Sequence, residues 1–139
     1  MSEDLAYDKG FNPFGDLVGM KCFGQENGRS HCRLEVKAAL LNPNGVVHGA
    51  AIYALADTAM GGALVSQLQP DHACTTIEIK ISYFKAVREG VIICEAHLVH
   101  QGKRIAFLEA KLYSSELLVA QATGTFAILP PRVAVSAPS

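Results

Sequence analysis

The sequence predicts an α+β fold in which a long antiparallel sheet wraps around one central α-helix. Three observations carry that prediction. From the dense turn Asn42-Pro43-Asn44-Gly45 to about residue 67 runs a stretch that is apolar in every helical direction. Segments on both sides of it show the period of two that marks strands. The later strands are separated by only a few residues, too few for parallel crossovers.

Residues 1–16 form a lead-in containing Gly10, Pro13 and Gly15. Strands are expected at 17–25 and 29–39, joined by Glu26-Asn27-Gly28, because Asn-Gly between apolar runs signals a hairpin. In the second strand Cys32, Leu34 and Val36 alternate with Arg33, Glu35 and Lys37, which gives it one buried face. A helix of about five turns is expected from His48 to Gln67. Its Ala50, Ile52, Ala54, Leu55, Ala56, Ala59, Met60, Ala63 and Leu64 leave no solvent face. Gly61-Gly62 weakens its second half by about 1 kcal/mol per glycine against Ala, and the small residues imply a closely approaching sheet.

Residues 73–86 alternate, with Ile77, Ile79, Ile81 and Tyr83 on one face and Thr76, Glu78, Lys80 and Ser82 on the other. Three more strands follow at 90–100, 104–114 and 117–129. The turns Ala86 to Glu89, Gln101-Gly102-Lys103 and Ser114-Ser115-Glu116 make each strand the expected neighbour of the next. A Pro/Ser/Ala-rich tail runs from Pro130 to Ser139.

The chain has 139 residues, 50% apolar and 18% charged, enough to bury a core and too apolar for global disorder. One domain is expected over 1–139, with its core at about 15–129 and flexible ends at 1–14 and 130–139. Twelve basic and 13 acidic residues give a net charge of -1, against the basic surplus of nucleic-acid binders. Asp57 lies in the middle of the most apolar stretch, where a carboxylate at mid-bilayer would cost about 2.5–3.5 kcal/mol. No membrane association is therefore expected. The acidic start Met-Ser-Glu-Asp-Leu is unlike a secretory signal, so the expected location is cytoplasmic. Of the four cysteines, Cys22 and Cys32 face each other across the first hairpin. Reducing compartments keep thiols free, so packed thiols are expected rather than a disulfide.

Asp57 stands out among the polar residues as a carboxylate among apolar side chains on a helix expected to be buried. Desolvation would raise its pKa, and such a group is either functional or a structural cap or ion pair. His48-Gly49 opens the same helix, whose first-turn N–H groups lack intrahelical partners at the positive end of the dipole. Gly49 has no side chain to keep a ligand carbonyl away from its N–H, as an oxyanion hole requires. A tight junction would explain Gly49 equally, and an ordinary cap His48. Asn42 before Pro43 suits turn chemistry, or the orientation of a water. Thr76 opens a strand, where β-propensity alone accounts for threonine. Lys103-Arg104, with Lys85 and Arg88, offer charges for phosphate or form a solvated surface. His31, His72, His97 and His100 lack metal-ligand spacing, and no metal is expected. Dinucleotide and P-loop glycine motifs are absent, as is a G-x-S-x-G.

The run Asn42-Pro43-Asn44-Gly45-Val46-Val47-His48-Gly49-Ala50, followed by Ala54-Leu55-Ala56-Asp57-Thr58-Ala59, resembles the hotdog-fold acyl-CoA thioesterases. The subgroup it is most similar to is the phenylacetic acid degradation thioesterases, with their N-x-x-G-x-x-H-G-G and helical L-x-D. The resemblance extends from about residue 15 to 128, including Thr76 to Tyr83 and Gly102-Lys103-Arg104. It implies hydrolysis of an acyl-CoA thioester, with Asp57 as nucleophile or base and the Gly49 N–H polarising the carbonyl. Asn42 then lies near the attacking water, His48 supports the loop and Thr76 assists the acid. It further implies a homodimer or homotetramer with sites between subunits, and no cofactor beyond the coenzyme A of the substrate, its phosphates near Lys103, Arg104 and Arg88. The second glycine of the family pattern is Ala50 here, and the hydroxyl some relatives carry one turn after the acid is replaced by Gly61. A non-catalytic acyl-CoA-binding module and a hydratase or dehydratase of the same fold are the alternatives.

Overall fold

A computed structural model describes residues 11–131 of the chain. Six antiparallel strands form one sheet in the order β1-β2-β4-β5-β6-β3. They are β1 (Met20–Glu26), β2 (Arg29–Glu35), β3 (Ala73–Tyr83), β4 (Val91–Gln101), β5 (Ile105–Ser114) and β6 (Leu117–Leu129). The central helix α2 (Gly49–Val65) lies against the inner face of the sheet and touches every strand. Leu34, Ile92, Leu108, Leu112 and Phe126 from the sheet meet Leu55, Met60 and Leu64 of the helix, all fully buried or nearly so. Each such side chain contributes about 1.5–3 kcal/mol. The outer face of the middle strands carries Glu95, His97, Glu109 and Lys111, in keeping with the period of two.

The close approach implied by the small helix residues is visible at Gly62, where a Cβ would lie 2.9 Å from Gln25 Cδ and 3.1 Å from Ser30 Oγ. The hairpin tip is tied to the end of the helix, since Gly28 N–H donates to Ser66 Oγ at 2.8 Å.

Several expectations are corrected. The lead-in contains a short helix, α1 (Pro13–Val18), with Pro13 at its start. Asn12 Oδ1 accepts from Gly15 N–H at 3.1 Å, a cap whose signal lay in the Asn-Pro pair. The first strand accordingly starts at Met20 rather than 17, and β2 ends at Glu35, where a 3₁₀ turn (Ala38–Leu40) follows. Cys22 and Cys32 face each other as expected but are joined in a disulfide. Direct opposition in the antiparallel register sets the two sulfurs side by side, so the bond is within geometric reach. Cys94 is in register with Cys32 on the next strand and remains a buried free thiol.

The strands β3 and β4 are not neighbours, although only residues 84–90 separate them. Seven extended residues reach about 23 Å, whereas three strand spacings amount to only about 14 Å. The connection therefore crosses the end of the sheet, with Phe84 N–H donating to Val119 O, and Val87 and Gly90 carbonyls accepting from Val47 and Val36 N–H. This leaves β3 at one edge of the sheet. The expected tail at 130–139 falls outside the described residues from 132 onward, as does the lead-in up to residue 10.

Candidate active site

The central helix does have an open side. Ile52, Leu55, Ala56, Ala59, Met60, Ala63 and Leu64 are buried against the sheet, while Tyr53 is 37% exposed and Asp57 half-buried. Gly49, Tyr53, Asp57 and Gly61 follow one another at four-residue spacing and so share that side. Nor is Asp57 isolated. Thr76 on β3 donates its hydroxyl to Asp57 Oδ1 at 2.7 Å.

A β-bulge explains how Thr76 reaches the helix. Thr76 pairs with Phe126 and Glu78 with Thr125, leaving Ile77 as the extra residue. An inserted residue shifts the alternation by one. Thr76 therefore shares its face with Ile79, Ile81 and Tyr83, correcting the expected assignment, and Ile77 is turned out to 54% exposure.

At the start of α2, the turn is built by Asn42. Its Oδ1 accepts from Asn44 N–H at 2.9 Å and Val46 N–H at 3.4 Å, and its own N–H donates to Val46 O. The Asn42 carbonyl oxygen of the side chain thus holds the loop. His48 is the N-cap, with Nδ1 accepting from Ala50 N–H at 2.9 Å, while His48 O accepts from Ala51 N–H at 2.9 Å. Among the described residues Gly49 N–H has no acceptor, so of the first three amides of the helix it is the one left to meet a ligand. Gly49 lines a cleft of 310 Å³ together with Val46, Ile52, Tyr83 and Lys85, among others.

Sequence reasoning placed Tyr83 only as a face residue of its strand. The structure has it 48% exposed, with its hydroxyl donating to Gly49 O at 2.7 Å. Burial and the neighbouring Tyr53 hold its phenol above the ordinary tyrosine range. A long side chain at a strand end beside a glycine-opened helix was the available signal. On the same strand the Cys74 thiol is also pushed up, by burial and then by the charge of Asp57.

The candidate residues are not all brought together. Gly49 and Asp57 stand eight positions apart on the helix, about 12 Å at 1.5 Å per residue. One protomer cannot present both to a single carbonyl. Lys103 and Arg104 lie in the β4–β5 turn beside a 570 Å³ cavity that also touches His72 and Ile128. Arg88 precedes β4 at the opposite end of that strand, about 33 Å away over ten strand residues. Within one protomer it does not join them. Among the described residues no group of three His, Cys, Asp or Glu side chains could hold a metal ion, and no helix is long and apolar enough to cross a membrane.

A family model described as the thioesterase superfamily matches residues 44–120, more than half of the chain. The solved structure of a conserved protein from Pseudomonas aeruginosa is similar with a TM-score of 0.83 and 37% identity, over 85% of this chain and 94% of that one. A mutant of the phenylacetic acid degradation protein PaaI from Thermus thermophilus is similar with a TM-score of 0.78 and 28% identity, over 84% and 98% of the two chains. A 1,4-dihydroxy-2-naphthoyl-CoA hydrolase from Listeria monocytogenes is 25% identical over 97 residues, 70% of this chain and 79% of the relative. The helix wrapped by a six-stranded antiparallel sheet and the match across its centre agree, and the chain belongs to the hotdog-fold thioesterase superfamily.

Proposed function

We propose that this thioesterase hydrolyses an acyl-CoA thioester to a free carboxylic acid and coenzyme A. The observation that carries the reading is the pair of groups on the open side of α2: a carboxylate held by Thr76 and a first-turn N–H with no acceptor of its own. Acyl transfer to water needs a base or nucleophile and a donor where negative charge develops. Asp57 supplies the first. Acting as base, it takes a proton from water as the hydroxide adds to the thioester carbonyl. Acting as nucleophile, it forms an anhydride that water then opens. In both routes the carbonyl oxygen gains charge at the Gly49 N–H, and the C–S bond breaks to release coenzyme A thiolate, which takes up the proton. Asn42 and His48 hold the loop that presents Gly49.

Because Gly49 and Asp57 are about 12 Å apart along one helix, the reading requires a second copy of the chain. Asp57 and Thr76 of one protomer then face Gly49 of the partner subunit, in a homodimer or a homotetramer. The open helix side and the edge strand β3 supply surface for that association. Lys103 and Arg104 make charge-assisted contacts to the coenzyme A phosphates, with no separate cofactor and a cytoplasmic setting.

The test is release of free thiol from a series of acyl-CoA esters. Aromatic acyl groups belong in the series, given the names of the Thermus and Listeria proteins. Asp57→Asn keeps the shape and removes the basicity, and turnover should fall by about 10²–10⁴ with dimer and melting temperature retained. Wild-type protein that binds acyl-CoA without turning it over would instead be a binding module. A stable dimer of the variant with normal turnover would place the chemistry elsewhere.

A further inference from the structure

We propose that Tyr83 is a positioning residue that fixes the orientation of the Gly49 N–H, and so sets how strongly the thioester carbonyl is polarised. The inference rests on the hydrolase reading above and concerns a residue to which the family pattern assigned no part.

The peptide joining Gly49 to Ala50 is held at both ends. Its carbonyl, Gly49 O, accepts from the Tyr83 hydroxyl at 2.7 Å, and its amide, Ala50 N–H, donates to His48 Nδ1 at 2.9 Å. The preceding peptide, which carries the free Gly49 N–H, is held at its own carbonyl because His48 O accepts from Ala51 N–H. These two planes pivot at the Gly49 Cα. Glycine is the residue type least able to fix that pivot by itself, since it lacks the Cβ that restricts φ and ψ. A donor used in catalysis gains from being oriented before the charge appears. The Tyr83 hydroxyl adds a brace from outside the helix to these local bonds.

Tyr83 supplies it by contact as well as by hydrogen bond. A Cβ built at Gly49 would lie 3.2 Å from both the ring Cζ and the hydroxyl of Tyr83. The ring thus occupies the space a side chain would fill, and Gly49 and Tyr83 line the same cleft. Its phenol, held above the ordinary range, remains a donor at neutral pH. Thr76 and Tyr83 lie on the same strand. One strand hydroxyl secures the acid, and the other secures the turn that presents the oxyanion donor.

Tyr83→Phe removes only the hydroxyl and leaves the ring over Gly49. On the best acyl-CoA substrate kcat should fall about tenfold, the scale of one hydrogen bond, with KM within about twofold because the coenzyme moiety is bound elsewhere. The spectroscopic readout is the carbonyl stretch of a bound ketone analogue in which CH₂ replaces the thioester sulfur. Wild-type protein should lower that frequency, and Tyr83→Phe should lower it less. A purely structural tyrosine would instead lower the melting temperature and leave both kcat per folded site and the stretch unchanged. Wild-type turnover with an unaltered kcat and stretch in Tyr83→Phe overturns the positioning role alone. Absence of any turnover in the wild type overturns the hydrolase reading and this inference with it.

Discussion

Thr76 Oγ1 donates to Asp57 Oδ1 at 2.7 Å across 19 residues of sequence, from an edge strand to the middle of the central helix. The bond occupies one oxygen of the carboxylate and leaves the other for water or substrate. It also requires the Ile77 bulge, without which the strand alternation would direct Thr76 away from the helix.

Replacing that hydroxyl separates orientation from shape. Thr76→Val keeps the branched side chain, and kcat should drop about tenfold as the carboxylate loses its fixed rotamer. Thr76→Ser should restore most of the rate. Steady-state kinetics on both variants, with a melting curve for each, checks this. Equal rates for Val and Ser would show that the bond has no part in turnover.

Lys103 and Arg104 sit in the β4–β5 turn, at the opposite end of β4 from Arg88. Removing both charges with Lys103→Ala and Arg104→Ala should raise KM for acyl-CoA by about tenfold or more and leave kcat within about twofold, since phosphate contacts are remote from the scissile bond. The KM increase should diminish at high salt, where exposed charges are screened. Substrates truncated to a short thiol should show no such effect.

The cysteines give a pH prediction with a definite sign. Burial, with a smaller contribution from Glu95, pushes the Cys94 thiol far above the ordinary range. In the unfolded chain the same thiol ionises near pH 8.5. Above that pH the unfolded state holds fewer protons than the native state, so stability falls as pH rises, by up to about 1.4 kcal/mol per pH unit for this group. It is fully retained below the unfolded value. Urea unfolding between pH 8 and 10 should show this loss, reduced in Cys94→Ala. Without reductant, the denatured protein should titrate with two free thiols, Cys74 and Cys94, because Cys22 and Cys32 are joined.

Much of this was legible in the chain itself. Asn27-Gly28 specified the first hairpin, the apolar run specified α2, and the segment expected at 117–129 is β6 from Leu117 to Leu129. Asp57 stood out by residue type and position and Gly49 by its place at the helix start, while Thr76 entered through the family resemblance. Apart from the disulfide, what escaped depended on contacts distant in sequence. The placement of β3 beside β6 rather than β4 is a long-range pairing, which a seven-residue connection does not reveal. The Ile77 bulge follows from matching β3 to β6, and local alternation alone gives no sign of it. Tyr83 escaped because its partner is a backbone carbonyl 34 residues away. The disulfide escaped because a prior about compartments was set against a register that was itself expected correctly.

The strand that carries Thr76 and Tyr83 has an unusual place in the order of assembly. β3 pairs only with β6, so Ala73 meets Leu129 and Tyr83 meets Ala120. The hairpins β1–β2, β4–β5 and β5–β6 each close over a few residues and form early, whereas β3 meets β6 only across residues 84–116. During synthesis the core helix and its first strands leave the ribosome well before β6 exists. β2 pairs with β4 over a still longer loop, so both of these non-local pairings follow the hairpins. Until β3 is docked, Asp57 lacks its hydroxyl and Gly49 its brace, so the assembled chemistry depends on a pairing that no local hairpin supplies.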